Sequence, residues 1–440
     1  MQLTKKLNFE LQSLYSIFYS FFALLFTSII YLYIYIKLGH EDLKSWIIIV
    51  TIINFPLILD FISGDSLSKI IANTKNKNTI LNLSFYLLLL FYLFLFSLYF
   101  PIVYFDIIKL DIFKKYYQLI YLNTLFIGFC KLDWFALDGL KKIEFKCITA
   151  FVNHFLFLLI VLFLLEKNNF DIIIYSYTIQ NFLNFIFYRI YILRSYPLSI
   201  KKTFENKNYI KKIIYQGAIF NIQKLSKDIQ EPIIKFIIVS LNYTNNLVIY
   251  DLTMKIFKSF DSLIYSFSRP YNFIFAKNGS INKLKFLLKN NNFIMLSILL
   301  SLLFVIALSY FVLAFYNIYN FQFELKRFIV FLLIIFSTYS ISLFAYPINF
   351  YIQIRRTLKY NIQGNLIALF FSVLLILFFD LSASLIIALL IGNLFSFCFN
   401  LRLLNTNNKV LLAIILRKYL LFLIMLLCGI WAVENYYNLI

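Results

Sequence analysis

The stretch FNIQKLSKDIQEPIIKFIIVSL, residues 220–241, decides how this chain folds. It runs through an apolar region, yet it carries Lys224, Lys227, Asp228, Glu231 and Lys235. On a helix at 100° per residue, with Lys224 at zero, Lys227 falls at about −60°, Asp228 at about +40°, Glu231 at about −20° and Lys235 at about +20°. All five share one face about 100° wide. The next stretch repeats the pattern: Asp251, Lys255, Lys258, Ser262, Ser266 and Arg269 form a second stripe, with Asp261 at its edge. Pro232 lies within the first of these helices and Pro270 ends the second, and either bends its helix.

The surroundings of those stripes are oily. Of 440 residues, 62% are hydrophobic and only 14% are charged. Soluble globular chains are about a quarter charged, so one soluble core cannot hide this much apolar surface. The composition therefore predicts a polytopic membrane protein. Apolar runs long enough to cross a bilayer fall near 10–36, 46–72, 79–103, 115–138, 146–165 and 171–194. After a basic linker they resume at 213–240, 246–275, 288–316, 325–351, 361–380 and 382–403. A further run at 411–433 either crosses or lies in the interface, because Arg417 and Lys418 interrupt it.

The net charge of +21 has a place in this plan. Alternate loops hold Lys75 and Lys77; Lys141, Lys142 and Lys146; Lys201, Lys202, Lys207, Lys211 and Lys212; Lys277, Lys283 and Lys285; Arg355, Arg356 and Lys359; and Arg402 with Lys409. The intervening loops are short and nearly neutral. The positive-inside rule puts the basic set, the N-terminus and the linker in the cytoplasm. No nucleic-acid partner is needed to explain the charge. Cys130, Cys147, Cys398 and Cys428 are scattered, and His40 and His154 lie far apart, so no metal site and no disulfide framework is expected. There is no Walker motif, and no cofactor is expected.

Placing 37–46 over 240–249 brings the following spans and basic loops into register. The spacing predicts an all-α bundle of two six-helix lobes in parallel repeat around a central cavity, plus one extra C-terminal helix. The boundaries are 1–196 for the first lobe, 197–212 for the cytoplasmic linker, 213–403 for the second lobe and 404–440 for the extra helix.

A charge at the bilayer centre costs about 2.5–3.5 kcal/mol on insertion scales, so the stripes must face one another, a water-filled cavity, or both. An internal ion-pair network is one reading, with Lys227–Glu231 and Asp251–Lys255 as i,i+4 pairs. Against pure pairing, Lys224, Lys227, Lys235, Lys255, Lys258 and Arg269 outnumber Asp228, Glu231, Asp251 and Asp261. The surplus is cationic and suits an anionic passenger. In the first half, Thr124, Lys131 and Asp138 share one helical face, and Lys131 joins the candidate substrate contacts. Asp60 is read either as a coupling-ion site or as a capping or paired carboxylate. His154 is expected to bond a core neighbour. Asn181, Asn184 and Tyr188 are expected to serve helix-to-helix bonding or substrate contact.

The run IKLGHEDLKSWIIIVTIINFPLILDFISGDSLSKIIA (36–72) resembles the opening of bacterial polysaccharide flippases of the O-antigen type. These belong to the multidrug/oligosaccharidyl-lipid/polysaccharide exporter superfamily. ALDGLKK (136–142) is similar to their fourth-span ending, and NNLVIYDLTMKIFKSFDSLIYSFSRPYNFIFAK (245–277) to their eighth span. The resemblance implies alternating access. It also implies a lipid-linked oligosaccharide of the undecaprenyl diphosphate type as passenger, and a polysaccharide polymerase as partner. Two rivals stay open: a cation-coupled drug exporter of the same superfamily, and a membrane glycosyltransferase. The latter usually needs larger outer loops.

Overall fold

The computed structural model describes residues 2–62, 64–104, 111–165, 169–198 and 207–240, with Leu247, Asp251, Met254, Lys255, 362–367 and 369–370. The chain divides into two compact units, Met1–Asp251 and Leu252–Ile440. Almost all described residues belong to the first. Every regular element among them is helical.

The first unit opens with α1 (Gln2–Leu38) and α2 (His40–Ile58). Between them Gly39 sits at φ 93°, a backbone conformation that side chains with a Cβ adopt only with strain. Glu41 and Asp42 then place negative charge in the first turn of α2, where the helix dipole favours it. A short α3 (Asp65–Asn73) follows, and then α4 (Lys77–Tyr104), α5 (Asp111–Gly139), α6 (Ile143–Leu164) and α7 (Asp171–Ser195). The unit closes with α8 (Lys207–Asp228) and α9 (Gln230–Ser240).

Four segments are long and apolar enough to cross a membrane among the described residues: Phe18–Leu38, Lys77–Ser97, Lys114–Gly139 and Ile143–Leu164. They match four spans read from the sequence. Two other expected spans are not single helices. The one at 46–72 breaks between Ile58 and Asp65, and the one at 213–240 is divided at Ile229. Pro56 and Pro232 lie beside these interruptions. A proline removes one ladder N–H and crowds the preceding turn, so helices bend or end near it. The sequence also reads 207–212 as linker, whereas those residues begin α8.

Aromatic side chains join α1 to α6. Phe22 meets Phe151 at 5.3 Å, edge to face, and Phe26 meets Phe155 at 5.7 Å. The four-residue spacing of successive rings returns them to one helix face, so a single stripe of each helix makes the contact. Tyr33 Oη donates to Leu162 O at 3.0 Å near the far end of the pair. A second core forms where α3, α4, α5 and α7 converge, around Leu67, Ile71, Tyr92, Phe129, Leu132 and Tyr188.

Candidate functional site

Among the described residues of the first unit, a set of polar side chains lies buried between helices. One seam joins α5, α6 and α7. At one end Lys115 pairs with Asp171 at 3.0 Å, and the Tyr116 hydroxyl donates to the same carboxylate. Further in, Asn123 Nδ2 donates to Thr178 Oγ1 at 2.7 Å, and Asn181 Nδ2 donates to Asn123 Oδ1 at 2.8 Å. Asn153 Nδ2 donates to Asn184 Oδ1 at 2.7 Å, and Tyr188 Oη to Lys146 O at 3.1 Å. Asn181, Asn184 and Tyr188 thus bond helix to helix, one of their two expected uses. His154 bonds Ala150 O at 2.9 Å and meets the Tyr19 ring, as expected of a core histidine.

Two buried ion pairs complete the seam. Arg189 Nη1 lies 3.0 Å from Asp133 Oδ1, with the guanidinium 3.7 Å above the Phe85 ring. Lys146 Nζ lies 2.5 Å from Asp138 Oδ1 and 4.0 Å above the Trp134 ring. Neither Asp133 nor Arg189 is among the residues read as functional from the sequence, although each interrupts an apolar run. Lys146 is a correction: it is counted with the cytoplasmic loop charges, yet its side chain has no solvent exposure. Its pairing with Asp138 also separates Asp138 from Thr124 and Lys131, which share its helix face but reach towards α2.

At the entrance to α2, outside the apolar segments, burial raises the Asp42 carboxyl above the usual carboxylate range. Glu41 adds to the shift and Lys115 opposes it.

The break after α2 gathers the candidates of the first half. Leu59 N bonds Pro56 O at 3.1 Å, a tightened last turn. Asp60 Oδ1 accepts from Ile62 N at 2.8 Å, an Asx-type turn that fixes the carboxylate. Lys131 Nζ crosses from α5, donating to Leu57 O at 2.7 Å and lying 3.4 Å from Asp60 Oδ2. Two turns earlier on α5, Thr124 Oγ1 lies 3.4 Å from Ile53 O. Asp60 is thus a paired carboxylate in a turn, one of its two expected uses. On the other side, Gly217 of α8 lies against the Phe61 carbonyl so closely that any Cβ there would collide with it.

The stretch that opened the sequence analysis folds as the end of α8 and the whole of α9. Lys235 is buried and held by two carboxylates, Glu231 one turn before it at 2.6 Å and Asp251 beyond α9. Lys235, expected among substrate contacts, therefore stands in an ion triad with two of the expected supporting carboxylates. Asp228 ends α8 half-buried. Lys224 and Lys227 lie on α8, and their side chains fall outside the described residues, as do Lys258, Asp261 and Arg269 altogether. Lys255 is described in the second unit, half-buried and helical. Among the described residues, no group of three or more His, Cys, Asp or Glu side chains forms a metal-holding cluster.

No family model matches the sequence, and no curated protein matches it either. Solved structures do match the fold. The MATE multidrug transporter DinF-BH is 14% identical with a TM-score of 0.71, covering 92% of this chain and 96% of its own. An outward-facing multidrug resistance MATE family transporter of the MOP superfamily is 12% identical with a TM-score of 0.64, covering 91% and 96%. A MOP superfamily transporter from Pyrococcus furiosus, described as having a binding pocket of reverse polarity that suggests a different function, is 11% identical with a TM-score of 0.57, covering 89% and 94%. The chain accordingly has the fold of the MATE transporters of the MOP superfamily, an all-α, multi-pass membrane architecture of two six-helix lobes.

Proposed function

We propose that this protein is a membrane transporter whose passenger is a lipid-linked oligosaccharide with a diphosphate headgroup, turned from the cytoplasmic to the outer leaflet of the inner membrane. The observation that carries the proposal is the charge inventory of 224–269. Lys235 takes Glu231 and Asp251 as its partners. Across the whole stretch six bases, Lys224, Lys227, Lys235, Lys255, Lys258 and Arg269, stand against four acids, Asp228, Glu231, Asp251 and Asp261. Pairing among them leaves that net charge unchanged, so the cationic surplus remains. A diphosphate is the anion that such a surplus suits, since Lys and Arg are the usual phosphate partners.

The sugars of such a passenger need a wet path, while its polyprenyl tail stays in lipid. Moving one charge across 100 mV is worth about 2.3 kcal/mol, so an inside-negative potential drives the headgroup outward. The positive-inside orientation puts the N-terminus on the side where the passenger is loaded. Chemistry on the sugar is no part of this role. The proposed partners are the lipid-linked oligosaccharide, membrane lipids and a polysaccharide polymerase, with no nucleic acid.

Exchange of a drug against a cation is the second reading, because two of the matched structures are described as multidrug transporters. That passenger is cationic and calls for an acidic surplus, opposite to the inventory here. K224A/K255A tests the choice in a strain lacking its own polysaccharide flippase. Loss of surface glycan, with the protein still in the membrane, supports the proposal. Full glycan export by that double variant, or drug efflux without glycan export by the unaltered protein, refutes it.

A further inference from the structure

The break between α2 and α3 is built like a cation site whose cation belongs to the protein. Leu57 is in the last turn of α2, where carbonyls lose their helical N–H partners and carry the negative end of the helix dipole. Asp60 adds a full negative charge three residues on. Its side chain has no solvent exposure. A buried carboxylate beside a buried helix C-terminus is costly unless a cation joins them. The Lys131 ammonium occupies that place, 2.7 Å from Leu57 O and 3.4 Å from Asp60 Oδ2.

The donor set is informative. An interrupted membrane helix that offers C-terminal carbonyls and a carboxylate is how transporters hold exchangeable monovalent cations. We propose that this break is a monovalent-cation site filled from within, with Lys131 as a tethered substitute for an ion such as sodium.

A lysine near the C-terminus of a helix can cap that helix's own last carbonyls. Lys131 comes from α5 instead, across 74 residues of sequence. The carboxylate it meets is held independently, because Asp60 Oδ1 is engaged by Ile62 N. The peptide after Phe61 is held as well, with Gly217 of α8 lying against its carbonyl. The oxygens therefore keep their positions when the ammonium is removed. The site also has a way in: the Lys131 side chain keeps 18% of its exposure while Asp60 keeps none. An ion can replace the ammonium from the side it occupies.

The inference is independent of the passenger, and its test reads ion binding alone. The full-length protein, K131A and K131A/D60N are melted in detergent in sodium, potassium, methylammonium or choline chloride at one ionic strength. The unaltered protein is expected to melt at one temperature in all four. K131A should be less stable in choline and recover in the small cations, its Tm climbing by about 3 °C per tenfold rise in the preferred ion above its Kd. K131A/D60N should lose that response. Direct binding of radioactive sodium to K131A and not to the parent is the second readout. A K131A protein equally unstable in all four salts overturns the inference, and so does a salt response that survives D60N. Failure to recover K131A in any salt also overturns it, because a site open to exchangeable cations refills from solution.

Discussion

Replacing Arg189 with Met is expected to cost the first unit about 4 kcal/mol at neutral pH. The Arg189 Nη1 to Asp133 Oδ1 contact is 3.0 Å, and the two side chains are 8% and 1% exposed. Deleting one partner of a buried pair costs about 3–5 kcal/mol, because the other charge is stranded. Loss of the Phe85 stacking supplies about 0.5–2 kcal/mol of that figure. Restoring charge balance in D133N/R189M should recover most of the loss. The assay is reversible unfolding in mixed detergent micelles, followed by tryptophan fluorescence for parent, single and double variants at pH 7. A loss below about 1 kcal/mol for R189M would refute the reasoning, and so would a double variant no better than the single.

G217A should drive a methyl group into the Phe61 carbonyl and displace α8 from the α2–α3 break, costing about 1–3 kcal/mol in the same assay. Full stability would show that the two helices do not touch there. K146M should cost about 3–5 kcal/mol, because Asp138 would lose a cation at 2.5 Å, and D138N/K146M should regain most of it. A surface lysine would show no such penalty. Burial and Glu41 hold the Asp42 proton more tightly in the folded state, so D42N is expected to stabilise at pH 7. That gain should fade as pH falls through the raised folded value and be gone below the unfolded carboxylate value of about 3.9; a gain independent of pH would exclude the electrostatic cause.

Much of the lobe was legible because its signal is linear. Span length, apolar content and loop charge are read residue by residue, and they located α4, α5, α6 and α7 within about four residues and the end of α1 within two, whereas α1 begins at Gln2, ahead of the expected residue 10. Interruptions were less visible. Pro56 and Pro232 were in plain sight, but a proline bends some membrane helices and ends others, and the choice depends on what satisfies the freed carbonyls. At Leu57 the partner is Lys131, far away in sequence.

Residues 220–241 show where the division falls. The sequence by itself determined that this chain is a helical membrane protein and that charges within its apolar helices need partners or water, since the cost of charge in lipid depends only on residue type and depth. Tertiary structure alone decided the pairings: Lys235 with Glu231 and Asp251, Lys146 with Asp138, Arg189 with Asp133. An ion pair depends on a few ångströms of separation, and helix periodicity places residues on faces without saying which faces meet.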